Sequence, residues 1–169
     1  AMESSATILR YAAQEVESSD LGNYKNSAAI LSELRSAVLS WQRIPEALWD
    51  NFVLALPSDA GTGAVLTAVE TALALDGGLS TVGVEELGWP AYAAIAKTCR
   101  VSIREFPTGC TIDGDGVLPL YQAGPMNTSG RVTQAAVLAE RVDSADGRLV
   151  ILDRAYSGFE FARELNTEG

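Results

Sequence analysis

Between Ser27 and Trp41 the apolar positions Ala28, Leu31, Leu34, Val38 and Trp41 recur at three- and four-residue steps. That spacing predicts a helix over 27–41 with one buried face. Before it, a short amphipathic start is set off by the polar, turn-rich residues 18–23. Pro45 begins a further short helical pattern through Leu48 and Trp49. Beyond this point the pattern alternates. Phe52–Leu56, ended by Pro57, reads as a buried strand, and the small residues 58–63 as a turn. Helical spacing returns over Ala64–Leu75 and stops at Asp76-Gly77-Gly78. Leu79–Val84 is the next expected strand, and Trp89-Pro90 opens a helix to about Cys99. Val101–Phe106 alternates as a strand, residues 107–116 form a loop, and Val117–Tyr121 is a strand despite Pro119. A loop at 124–130, a helix at 132–142 and a strand at 149–152, with Asp153 at its carboxyl end, complete the reading.

Strands alternating with helices of this length predict an α/β fold: three layers, α/β/α, around a mainly parallel sheet. Ligands of such sheets bind at the carboxyl ends of the strands. This singles out three loops. In Ser58-Asp59-Ala60-Gly61-Thr62-Gly63, two glycines permit close backbone approach, and the helix that follows offers free N–H groups to a phosphate. The same residues would equally make a plain capped turn. In 124–130, Asn127 offers an amide at the binding edge, or simply a turn former. In 153–158, Asp153 is a carboxylate at the end of an apolar strand, where burial demands a partner. A cationic ligand nitrogen would serve, as would a capping role for the next helix.

Taken in order, these segments carry a resemblance. Ala60-Gly61-Thr62-Gly63-Ala64, Gly88-Trp89-Pro90, Asn127-Thr128-Ser129-Gly130 and Asp153-Arg154-Ala155-Tyr156-Ser157-Gly158-Phe159 resemble the large domain of the fold-type I pyridoxal-phosphate (PLP) aminotransferases, aspartate/aromatic branch. The resemblance runs over roughly residues 50–165. It implies pyridoxal 5′-phosphate as cofactor and exchange of an amino group between an amino acid and a 2-oxo acid. It implies that Ala60 (through its backbone), Gly61 and Thr62 hold the cofactor phosphate, and that Trp89 stacks on the ring. By the same resemblance Asn127 and Tyr156 bond the ring hydroxyl oxygen, and Asp153 pairs with the protonated ring nitrogen. Ala60 stands where the family has Ser, and Thr128-Ser129 where it has Pro-Thr.

The family's Schiff-base lysine is the conspicuous departure. None of the 16 residues after Asp153 is Lys, and the chain's lysines are Lys25 and Lys97. The resemblance therefore implies a complementary C-terminal segment or subunit that brings the lysine and most of the small domain. Without it, the sheet is expected to show exposed edges and uncovered apolar faces. The expected division is a helical segment and linker over 1–25 and a cofactor-binding portion over 26–169. A homo-oligomer is expected from the family. A truncated, non-catalytic relative acting as an interaction or regulatory subunit is the alternative function, and an unrelated phosphate-binding α/β domain is a third.

Composition narrows this further. The 169 residues carry 12 Lys+Arg, 22 Asp+Glu and no His, for a net charge of −10. Acidity argues against nucleic acid and anionic membranes as partners. The absence of His removes Ser-His-Asp and Cys-His catalysis and His-ligated metal sites from this chain. Cys99 and Cys110 are too few for a disulfide framework. No apolar run is of spanning length, and Ala1-Met2-Glu3-Ser4-Ser5 lacks signal-peptide character, so a cytoplasmic protein is expected.

Overall fold

A computed structural model describes residues 6–18, 27–53 and 60–156. The chain divides into two compact units, Ala1–Leu54 and Ala55–Gly169. The first holds helix α1 (Ala6–Ser18), helix α2 (Ser27–Trp41) and a 3-10 helix over Glu46–Asn51. The bounds of α2 are those the apolar spacing predicts. Pro45 stands at the N-cap of the 3-10 helix with φ −56°, the value its ring imposes. Arg35 of α2 donates from Nη2 to the Trp49 carbonyl and from Nε to the Phe52 carbonyl at 2.9 Å. The Trp49 indole N–H donates to the Ile44 carbonyl at 2.8 Å.

The expected strand at 52–56 takes no such form in its described part. Phe52 and Val53 pair with no described strand and are exposed, Val53 at 95%. The Phe52 carbonyl is occupied by the Arg35 side chain rather than by a ladder partner. Residues 54–59, with the rest of that strand and the start of the 58–63 turn, lie outside the described residues.

The second unit is the α/β fold. Its elements are α3 (Ala60–Leu75), β1 (Thr81–Glu85), α4 (Ala91–Thr98), β2 (Ser102–Phe106), β3 (Val117–Gln122), α5 (Ala135–Asp143) and β4 (Ile151–Asp153). The four strands form one sheet in the order β2-β1-β3-β4, parallel throughout. All six residues of β3 are buried, as a strand covered on both faces must be. Leu118 and Leu120 turn to one face and pack with Val82, Val84, and Val65 and Val69 of α3 and Tyr92 and Ile95 of α4. Val117 and Tyr121 turn to the other and pack with Ile112, Phe106 and Leu138 of α5. Pro119 lies opposite Gly83, and the ladder to β4 begins only at Leu120. β3 is thus bonded from one side at the residue that has no N–H.

Three local expectations need correction. Ala60 to Gly63 form the first turn of α3 rather than a loop. β2 shows no alternation of burial: Ser102 to Glu105 are all exposed, because β2 is the sheet edge and α4 covers it only in part. The helix expected from Val132 starts at Ala135, after the extended Gln134.

The link from β2 to β3 passes β1 without a helix. Its residue Ile112 is buried against the sheet, and its N–H donates to the Tyr121 phenol oxygen at 2.7 Å. Gly83 makes room for it. A Cβ at Gly83 would lie 2.4 Å from Ile112 Cγ2 and 2.8 Å from Val117 Cγ1. Gly83→Ala is therefore expected to cost about 1–3 kcal/mol through overpacking. Urea denaturation of the two proteins checks this, and an unshifted midpoint would show that the site has slack.

Candidate functional site

The parallel strands bring three chain segments together at their carboxyl ends. A cavity of about 210 Å³ opens there, lined by Gly61 and Thr62 of α3, Trp89 before α4, Gln122 of β3, and Asp153, Ala155 and Tyr156. Trp89 is set by a tight turn after β1. The Gly88 N–H donates to the Glu85 carbonyl at 3.1 Å, and a Cβ on Gly88 would stand 2.9 Å from that same oxygen. Thr128 donates its hydroxyl to the Leu87 carbonyl, tying the 124–130 loop to this turn.

Asp153 is 8% exposed. Its Oδ2 accepts the Tyr92 phenol at 2.7 Å and its Oδ1 accepts the Ala155 N–H at 2.9 Å. The second bond closes a local turn; the helix that the capping alternative requires would lie outside the described residues. The first is a cross-element bond from α4. A carboxylate has about four acceptor positions, so these two donors leave capacity for another on the cavity side. Burial, followed by the hydrogen bond to Asp153 and the charges of Asp153 and Glu85, pushes the Tyr92 phenol well above its ordinary value. Tyr92 also meets Trp89 edge-on, with centroids 5.6 Å apart and planes at 87°. One side chain thereby supports both the carboxylate and the indole.

Of the residues singled out in the sequence, Gly61, Thr62, Trp89, Asp153 and Tyr156 share this cavity. Ala60 immediately precedes Gly61 and holds φ +46°, a left-handed conformation that is costly for a residue with a Cβ. Asn127 is exposed and does not line the cavity. Its N–H donates to Gln122 Oε1 at 3.4 Å. Lys97 is exposed on α4 and does not line the cavity, and Lys25 lies outside the described residues. Sequence reasoning missed Gln122 and Tyr92. Gln122 had a usable signal, a polar residue ending an apolar strand, which is the same mark that drew attention to Asp153. Tyr92 lies one helical turn beyond Trp89, and that spacing also predicts a shared face.

The profile of the class I and II aminotransferases matches residues 6–168. The chain belongs to that family. No curated protein matches it. Among solved structures, an aromatic amino acid aminotransferase with 3-indolepropionic acid superimposes with a TM-score of 0.70 at 18% identity, over 88% of this chain and 42% of the other. The aspartate aminotransferase of Saccharomyces cerevisiae cytoplasm gives 0.64 at 14%, over 86% and 40%. A PLP-bound C-S lyase from Staphylococcus hominis, complexed with L-cycloserine, gives 0.59 at 16%, over 88% and 40%. This aminotransferase-family chain thus spans about two fifths of the length of the structures it matches. At these identities the likeness is one of fold.

Tyr92→Phe removes a donor from a buried carboxylate and is expected to cost about 1–3 kcal/mol. The pH dependence has a definite sign. Folded, Tyr92 keeps its proton at pH values where an unfolded tyrosine, near 10, has lost it. Its stabilisation is complete below about pH 10 and is lost as pH rises beyond. Tyr121, also shifted upward by burial, acts in the same direction. Stability should therefore fall above about pH 10, and less steeply in Tyr92→Phe. Urea midpoints at about pH 8 and about pH 10.5 test both points. Equal slopes in the two proteins would remove Tyr92 from the account.

Proposed function

We propose that this chain is the cofactor-binding portion of a PLP-dependent aminotransferase that exchanges an amino group between an amino acid and a 2-oxo acid. The observation that carries the reading is the buried Asp153 carboxylate, held by Tyr92 and Ala155 on a cavity shared with the N-terminal turn of α3 and Trp89. These residues fit the cofactor. Ala60, Gly61 and Thr62 begin a sixteen-residue helix, whose free N–H groups and positive dipole end suit a phosphate. Trp89 presents an indole for stacking and Tyr156 a phenol for the ring hydroxyl oxygen, whereas Asn127, the other residue proposed for that oxygen, is exposed and does not stand on the cavity wall. Asp153 retains acceptor capacity for a protonated ring nitrogen, and such a charge-assisted bond offsets its burial. When bound, the cofactor supplies an electron sink for the amino acid's α-carbon. Asp153 holds the proton on the ring nitrogen, Tyr92 keeps Asp153 in place, and Gly61 and Thr62 fix the phosphate end.

In this reading residues 26–169 form the cofactor-binding portion, with residues 1–25 as a helical segment and linker. The lysine that bonds the cofactor comes from a complementary segment or subunit. In support of such a segment, an apolar groove of about 310 Å³ runs between α3 and the edge strand β4, past Ala64, Ala68, Leu75, Leu149 and Ile151. A homo-oligomer and a cytoplasmic setting belong to the same proposal. Among the described residues, no helix is long and apolar enough to cross a membrane.

The test is binding of PLP to the full chain, followed by quenching of tryptophan fluorescence. Asp153→Asn is expected to weaken it about tenfold or more, the cost of losing one bond to a charged group. Unchanged affinity would refute the role of Asp153. Borohydride reduction of the native preparation with added PLP, read by intact mass, should then mark a lysine on a second polypeptide or segment.

A further inference from the structure

Gln122, the last residue of β3, stands on the wall of the Asp153 cavity and is only 6% exposed. It follows Leu118 and Leu120 at two-residue steps, so strand parity turns its side chain to the same α3–α4 face. Asp153 is its register partner on β4. Neighbouring strands lie about 4.8 Å apart, so the amide and the carboxylate sit side by side on one face. The orientation of the amide is set by a residue off the cavity wall. Gln122 Oε1 accepts the Asn127 N–H at 3.4 Å. A backbone N–H can only donate, so the amide oxygen and not its nitrogen must face it. The two N–H donors of Nε2 are then the polar end left for the cavity, and they meet no acceptor among the described residues. Buried donors in folded proteins are ordinarily paired, so this side of the cavity calls for an acceptor.

We infer that Gln122 donates its amide N–H to the ring hydroxyl oxygen of PLP, in the place that the sequence suggests for Asn127. The inference rests on the PLP reading and adds to it a residue that the family resemblance does not supply. Besides its aldehyde, PLP offers two kinds of acceptor, the phosphate oxygens and the ring hydroxyl oxygen. The α3 N-terminus at Gly61 and Thr62 serves the phosphate. The protonated ring nitrogen is itself a donor, matched to Asp153. The phosphate arm and the hydroxyl leave the ring on opposite sides of the line from nitrogen to aldehyde. The arm belongs at α3, which packs on β4. The hydroxyl side is left for β3, the strand that pairs with β4 and ends in Gln122. An N–H donated to that oxygen favours its ionised form. Asn127 then acts through its backbone, as the group that orients Gln122.

The experiment compares binding of PLP and of 3-deoxypyridoxal 5′-phosphate, which lacks only that oxygen, to the full chain by quenching of tryptophan fluorescence. The ratio of the two affinities isolates contacts to the oxygen, because a loosened cavity weakens both ligands alike. The wild-type chain should prefer PLP. Gln122→Met should lower that preference about tenfold, the value of one bond to a charged oxygen. Gln122→Glu keeps an acceptor for the Asn127 N–H but sets a carboxylate against the ring oxygen, and should lower the preference at least as far. The absorption of bound PLP gives a second readout. Its ring hydroxyl should lose the proton at a higher pH in Gln122→Met than in the wild type. Equal affinity of the wild-type chain for the two compounds, or an unchanged ratio in both variants, would overturn the inference. So would a preference lost in Asn127→Ala and kept in Gln122→Met. Each of these leaves the PLP reading standing, since Asp153→Asn tests that separately. Failure of the wild-type chain to bind either compound would overturn the PLP reading and this inference with it.

Discussion

A carboxylate buried at the end of a parallel strand must be given donors, and the way Asp153 obtains them organises the second unit. One donor is local, the Ala155 N–H two residues on. The other is a phenol from α4, 61 residues earlier in the chain. That bond accompanies the packing of α4 beside α3 and over β1 and β2, on the same face as Leu118 and Leu120 of β3. The same placement brings Trp89 edge-on to Tyr92 and leaves it facing the N-terminus of α3. Satisfying one buried charge thus aligns three loops distant in sequence. Removing the phenol would disturb the stacking residue as well as the acid.

The strand parity of β1 distributes chemistry to both faces of one edge. Val82 and Val84 fill the α3–α4 side, so Gly83 and Glu85 face α5. One face therefore ends in the cavity of Asp153 and the other in the Glu85–Arg141 ion pair. In the first, each carboxylate oxygen has one donor; in the second, one carboxylate oxygen and two guanidinium nitrogens have none among the described residues. Arg141 also lies over the Tyr121 ring at 4.9 Å, so one face of its guanidinium is covered by an aromatic partner that accepts no conventional hydrogen bond.

Much of this was legible in the sequence, and for physical reasons. The α2 spacing and the long α3 run are strong periodic signals, and Pro90 and Gly78 mark helix ends. The alternation of strands and helices fixed the α/β class and the ligand edge. The order of Gly61-Thr62, Trp89, Asn127 and Asp153 carried the family resemblance. What the sequence concealed depended on partners. Phe52 looks like a strand residue until Arg35 claims its carbonyl. Ile103 looks like half of an alternating strand, yet β2 lies at an edge that α4 covers only in part. Asn127 follows β3 as expected, but it is exposed and is not among the residues lining the cavity. Tyr92 went unnoticed because a tyrosine on an apolar helix face reads as core, and its hydroxyl becomes informative only when Asp153 lies within reach.

The helix-free passage from β2 to β3 gives the sheet unequal cover. On one face two helices overlie the central strands, and on the other Ile112, in a ten-residue loop, shares that task with α5. Loops open by local fluctuation at a lower free energy than packed helices. Amide hydrogens of β1 and β3 should therefore trade with solvent through partial openings led by residues 107–116, well before the whole unit unfolds. The two faces of the same sheet would then belong to different cooperative units of the protein, the Asp153 side to the slow-exchanging one and the Glu85 side to the fast.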